Sequence, residues 1–443
     1  MSRFTSQQRK FVYLGGMLVL LIPIIGLGMP SDGRDKKGGY VAQLRTEYDL
    51  GESDLGQIDP SSASMNLVLL GLRGVAVNLL WIDLEKHKDN KDWAQMRATT
   101  ESIIRLQPHY EKVWDFNGWN LAYNTSAEWD AVPDRYQWVK EGGKFLIRGV
   151  ARNEKSTDLH YRTARIYQQK VGQSDEKKYF RQYFMSDPDP KFEGTNDPDF
   201  NTDNIDNFLM AKKWYYAAND AERNKVQRIL DRTIFRSSPA RAQFDYAQAL
   251  QEDGVFGEVT REAWAQALND WTVKYGQEVF TIPWEDGKVD IRMEMTEAEI
   301  EQAVKNQSDA QKLKRAVNAY QNMTNYRYWR TRGLCEAEEQ TAQAHQEFFQ
   351  AGEQYKQQNL ASAKQLVLSS MQKFENVLER YPDLREEDRL VEECMLAVLL
   401  FESIHRLDGE RLPEEFPLKQ LSQEKQAMRQ QVEVLFNRRF LAN

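Results

Sequence analysis

Cysteine is nearly missing from these 443 residues, Cys335 and Cys394 being the only two. One disulfide at most can form, so neither a disulfide framework nor a thiolate zinc cluster organises the chain. Cys394 lies in VEECMLAVLL, a core-type helical run, and both thiols read as small buried apolar groups. Histidine is almost as scarce. His87, His109, His160, His345 and His405 stand singly, none four residues from another, so no metal-ligand spacing is present. Each reads as a surface or packing residue. Phosphate cradles are absent: Gly142-Gly143 precede a helical run without the GxxxxGK[ST] or GxGxxG pattern. No GxSxG nucleophile elbow occurs. Positive charge is in deficit, with 59 Lys and Arg against 67 Asp and Glu. A phosphate backbone therefore offers no counterion-release gain, and nucleic acid is disfavoured as a partner. No cofactor motif and no acid–base pair emerges, so the sequence reads as non-catalytic and cofactor-free.

What the chain does have begins at its N-terminus. Phe11 to Met29, FVYLGGMLVLLIPIIGLGM, holds no charge over 19 residues. As a helix it would be about 28 Å long, close to the ~30 Å hydrocarbon thickness of a bilayer. Arg3, Arg9 and Lys10 precede it, which favours a cytoplasmic N-terminus and an extracytoplasmic, periplasmic-side body. Gly26-Leu27-Gly28 has the small-x-small form of a signal-peptide cut, but the charged leader is thin and Pro30 lies just beyond. The segment reads as a retained single-pass anchor (1–30). A Gly-, Ser- and Asp-rich stretch, 31–64, reads as a tether.

The remainder reads as all-α. Three-and-four spacing of apolar residues predicts helices over 65–88, 93–106, 111–123, from Pro133 onward, and 159–170. This N-terminal helical region (65–185) gives way to an acidic loop, 186–207. A middle region (208–300) resumes at Phe208, with helices predicted from Pro239 to Gly254 and from Glu258 to Gly276. Residues 278–293, EVFTIPWEDGKVDIRM, predict the single β-hairpin, turning at Asp286-Gly287. Thr296 and Glu299 form a capping-box pattern. In the C-terminal region (301–443) helices are predicted over 306–357, 359–380, 386–407 and 422–439.

Several helix pairs share a grammar. Pro108, Trp114, Gly118 and Leu121 are spaced so that a small residue admits the next helix and a large one fills the gap. Ala247, Leu250 and Gly254 mark a second pair. Gly352, Tyr355 and Ala363 mark a third, closed by Tyr381-Pro382. These segments resemble the tetratricopeptide repeat family, whose units run to about 34 residues. The match is degenerate and covers roughly half the chain (65–170, 239–276, 337–405). The chain is also similar to large bacterial envelope proteins with an N-terminal anchor and repeat-like helices. Resemblance to the repeat family implies a helix-hairpin solenoid with an open groove. It implies that Asn117, Asn120 and Asn124, three and four apart on the first helix, face that groove with Trp119 and Tyr123 beside them and hydrogen-bond an extended peptide.

The acidic loop carries Asp197, Asp199, Asn201 and Asp203, the alternating oxygen donors of a calcium loop. Thr202 stands where that loop needs glycine and Phe208 where it needs a bidentate glutamate, so a hydrated turn is the favoured reading and a metal site the lesser one. The expected function is a scaffold binding another protein or peptide. Two rivals stand beside it. One is a structural subunit docking through the acidic loop or hairpin. The other is a glycan-binding protein or enzyme using an aromatic cleft of Trp114, Trp119, Trp129 and Trp138.

Overall fold

A computed structural model describes residues 73–441 apart from 223–228, 286, 305–309 and 387, with isolated positions between 10 and 23. The predicted anchor at 11–29 falls largely outside the described residues. Among those described, no helix is long and apolar enough to cross a membrane.

Among the described residues helices dominate, accompanied by one two-stranded sheet. The chain falls into two compact units, Met1–Trp129 with Lys140–Leu159, and Asp130–Val139 with His160–Asn443.

In the first unit, α1 (Arg73–Asp89) packs on α2 (Trp93–Leu106). Asp92 caps α2 by accepting from the Gln95 amide at 3.2 Å, and α2 ends before Pro108, which cannot continue it. Next come α3 (Glu111–Trp119) and α4 (Val132–Arg152). Their close approach is set by glycine. A Cβ on Gly142 would lie 2.7 Å from the Gly118 carbonyl oxygen, and one on Gly149 would lie 2.9 Å from the Trp114 ring. Trp114 anchors this corner, donating from Nε1 to the Pro108 carbonyl at 2.8 Å.

The second unit continues with α5 (Thr157–Arg165), α6 (Lys177–Met185), α7 (Asn207–Glu222), α8 (Ile229–Glu252) and α9 (Glu258–Asn269). Helix α8 corrects the expected start at Pro239. It runs through that proline, and the Ser237 and Ser238 hydroxyls donate to the Ile234 carbonyl nearby. Strands β1 (Phe280–Trp284) and β2 (Gly287–Ile291) pair antiparallel from Phe280↔Ile291 to Trp284↔Gly287. The turn lies one residue earlier than expected, with Glu285 at φ 49°. Phe280, Ile282, Val289 and Ile291 alternate inward, as a half-buried ribbon requires. The Thr296–Glu299 pattern forms a reciprocal capping box, Thr296 N–H on Glu299 Oε2 and Glu299 N–H on Thr296 Oγ1.

Beyond it lie α10 (Glu297–Val304), α11 (Ala310–Met323), α12 (Tyr326–Glu336), α13 (Glu339–Lys356), α14 (Leu360–Arg380) and α15 (Asp388–Asp408). The helical stretch expected over 306–357 holds α11, α12 and α13, with Asn325 at φ 53° between the first two, a conformation Asn tolerates. Helices α13, α14 and α15 pack in sequence order, followed by α16 (Lys419–Glu424) and α17 (Arg429–Phe436). Leu418 at φ 64° starts the last pair earlier than expected.

Among the described residues four helices run straight into a π-helical turn: α3, α5 and α9 at Asn120–Thr125, Ile166–Val171 and Asp270–Tyr275, and α17 at Asn437–Leu441. In the third, the Gly276 amide donates to the Trp271 carbonyl five residues back at 2.8 Å. Ser126, Gly172 or Gly276 follows the first three, and a Cβ on Gly172 would lie 2.5 Å from the Phe208 ring.

Candidate functional site

The Asn-rich stretch differs from expectation. Asn117 and Asn120 are buried rather than facing an open furrow. Asn120 donates to the Phe116 carbonyl at 2.7 Å and accepts from Asn124 Nδ2 at 2.6 Å. Both amide atoms of Asn117 are buried without a hydrogen-bond partner, a costly arrangement. Only Asn124 of the three is exposed. Trp119 stacks on Tyr123 with ring centroids 3.8 Å apart and is itself 41% exposed. Trp114 is buried, so it offers no face to a sugar, whereas Trp129 is exposed. The remaining packing positions sit as follows. Gly118, Leu121 and Ala363 are buried. Gly254 has φ +78° beneath Phe349, and a Cβ on Gly352 would lie 2.5 Å from Phe440. Tyr355 Oη lies 2.9 Å from Ser403 Oγ, and Pro382 opens a short 3-10 turn, Pro382–Glu386.

The calcium-like loop does not assemble a site. Asp197 Oδ1 accepts from the Asp199 amide, and Asn201 Oδ1 accepts from the Ile205 amide at 3.1 Å. Asp203 pairs with Lys213 at 2.6 Å. Donor oxygens turned to backbone and lysine do not converge, and among the described residues no group of three or more His, Cys, Asp or Glu could hold a metal. The loop is pinned by an aromatic instead: Phe200 stacks on Tyr167, whose hydroxyl donates to the Phe200 carbonyl.

A buried polar cluster was missed from sequence. His345 on α13 places Nε2 2.8 Å from Glu336 of α12 and Nδ1 3.0 Å from Glu393 of α15. Gln251 of α8 donates to the same Glu336 carboxylate at 3.1 Å, and Arg332 lies 3.5 Å from its other oxygen. Burial alone would lower the His345 pKa, but the Glu336 and Glu393 carboxylates outweigh it and push it up to about 10. Burial would raise Glu336; His345 and Arg332 reverse this and hold it down at about 2. Cys335 and Cys394 flank the cluster, both buried and both pushed upward, chiefly by desolvation. This charge-paired cluster ties α8, α12, α13 and α15 together, with Glu393 a quarter exposed at its edge. No sequence signal marks it, because its members come from four helices.

An open cleft of about 670 Å³ lies between α15 and α17. Leu399, Phe436, Leu412 and Leu441 supply apolar lining, with the last two exposed at its edge. Arg429 binds Glu402 through two nitrogens and Glu433 through Nε. Arg406 stands exposed, touching Ser403 Oγ at 3.3 Å. His405 is oriented by its Nδ1 contact with the Phe401 carbonyl. Polar and charged side chains outnumber these four apolar ones in the lining, so the cleft presents a mixed surface.

Comparison with protein-family models, with curated proteins and with solved structures finds no match to this chain.

Proposed function

We propose that this protein is a non-catalytic, membrane-anchored scaffold of tetratricopeptide-like helix hairpins that binds another protein at the cell envelope. The observation that carries this reading is packing in sequence order: α13 on α14, α14 on α15, α15 on α17, and likewise α7 on α8 and α8 on α9. Such nearest-neighbour stacking makes extended surfaces rather than enclosed reaction chambers. The uncharged run at 11–29 supports the anchor, and the α15–α17 cleft is the open groove on which a peptide segment would lie. In this reading the groove is C-terminal, and Asn117 and Asn120 are interior packing residues instead of peptide contacts. A photo-crosslinking side chain in place of Leu412, introduced into the full chain in its native membrane, tests it. A discrete heterologous product, lost on R406E, is expected. Crosslinking to no other protein at this position overturns the assignment of the groove.

A further inference from the structure

Helix α1 is apolar on two opposite sides. One side is committed: Val77 and Leu84 are buried, and Trp81 packs against Tyr110 and Phe116 at 5.7 and 5.2 Å. At 100° per residue the other side, Val75, Leu79 and Ile82, lies about 160° away. These three are 59%, 61% and 63% exposed, spaced four and three apart in a single stripe. A helix with two apolar faces is stable in water only when both are covered.

We propose that this stripe lies on the lipid bilayer, holding α1 flat in the interfacial layer. The inference rests on the anchor reading above. Three observations select lipid over a protein. The first is area: three aliphatic side chains offer at most a few hundred Å², well short of the roughly 800 Å² per partner of a stable protein interface. A bilayer reached through a tether needs no such area, because the tether keeps it at high effective concentration. The second is order along the chain: the uncharged run at 11–29 precedes α1 by only a few dozen residues, rich in Gly, Ser and Asp, so the anchor reading keeps α1 tethered to the bilayer. The third is pattern. The apolar character begins upstream, in MNLVLLGL at 65–72, and ends on Lys86, one turn beyond Ile82 on the same side. A lysine there places its ammonium among headgroups while its stem stays with the acyl chains.

The test uses the full chain in vesicles of phosphatidylcholine and phosphatidylglycerol carrying a lipid-attached quencher. V75C, L79C and I82C are labelled with an environment-sensitive fluorophore, Cys335 and Cys394 being buried. A98C on α2, exposed, is the control, and L20C reports the anchor. Labels at 75, 79 and 82 should shift blue and lose roughly half their emission to the quencher, with position 98 little changed. Quenching at position 20 with none at 75, 79 or 82 overturns the proposal and leaves the anchor standing. No quenching at position 20 removes the anchor and this inference with it. A concentration-dependent blue shift in detergent, unquenched by lipid, assigns the stripe to a second copy and equally overturns it.

Discussion

Replacing Glu336 with Gln keeps the volume of the side chain and its capacity to accept from Gln251 and His345. Only the negative charge goes. That charge is the nearest counterion of a buried imidazolium, and breaking a buried ion pair from one side costs about 3–5 kcal/mol. The two buried thiols provide a local gauge, since Cys335 and Cys394 sit in the same core cluster as α13, α14 and α15. Under native conditions each is modified only when that core opens, so the labelling rate follows the opening equilibrium. E336Q should accelerate labelling on the order of 10²- to 10³-fold. The pH response has a definite sign. His345 is raised from 6.5 to about 10, so its stabilisation is complete below pH 6.5 and is lost as pH climbs toward 10. Glu336 is lowered from 4.5 to about 2, so its stabilisation is present above pH 4.5 and is lost as pH falls toward 2. The urea midpoint for exposing the two thiols should therefore be flat between these limits and fall on either side, with the alkaline slope shallower in E336Q. Labelling of E336Q within about threefold of the parent at pH 6, or a parent midpoint indifferent to alkali, would refute the charge-paired description.

Three further outcomes follow from the packing. G142A should lower stability by about 1–3 kcal/mol, because the new methyl meets the Gly118 carbonyl oxygen; G287A, whose Cβ meets nothing within 4 Å, should be near neutral in the same thermal melt. N117A should shift stability by less than about 1 kcal/mol, since the amide it removes has no partner and the small cavity offsets the relief; a loss several times larger would show an unseen partner for Asn117. Calcium at millimolar concentration should leave the melting temperature unchanged, because Asp203 is paired with Lys213 and Asn201 serves the Ile205 amide; a rise that vanishes in D197N would contradict this.

Much of the helical layout is legible in local chemistry. Asp92 and Pro108 bracket α2, and Thr296 with Glu299 restarts helix after the hairpin, because caps and breakers act on backbone groups within one turn. Features that depend on which face gets covered are not legible in this way. Asn117 and Asn120 form a polar stripe on a helical wheel, and a wheel does not say that the stripe faces inward. Pro239 reads as a start because a proline at the first turn costs nothing, whereas the folded chain retains ten residues of helix before it. His345 looks like a solitary histidine because its partners Glu336 and Glu393 lie on other helices. A buried charge cluster is invisible until tertiary contacts assemble it.

The first three π-helical turns carry this point further. Taking their first residues, Asn120, Ile166 and Asp270, as equivalent brings three series into register. Trp114, His160 and Trp264 align, as do Asn117, Thr163 and Ala267, and Leu121, Tyr167 and Trp271, then Thr125, Val171 and Tyr275; all are buried. Side-chain chemistry does not repeat at these positions, yet burial and backbone form do. A π turn inserts one extra residue and rotates the following side chains by about 100° relative to an uninterrupted helix. The residue after each turn is small, and at Gly172 and Gly276 a neighbouring aromatic side chain occupies the space a Cβ would need. The repeated unit is therefore a way of ending a helix against its neighbour, filled by whatever side chains match the local volume. A search for recurring residue types recovers only fragments of such a unit, since the three turns are unevenly spaced and share almost no side chains.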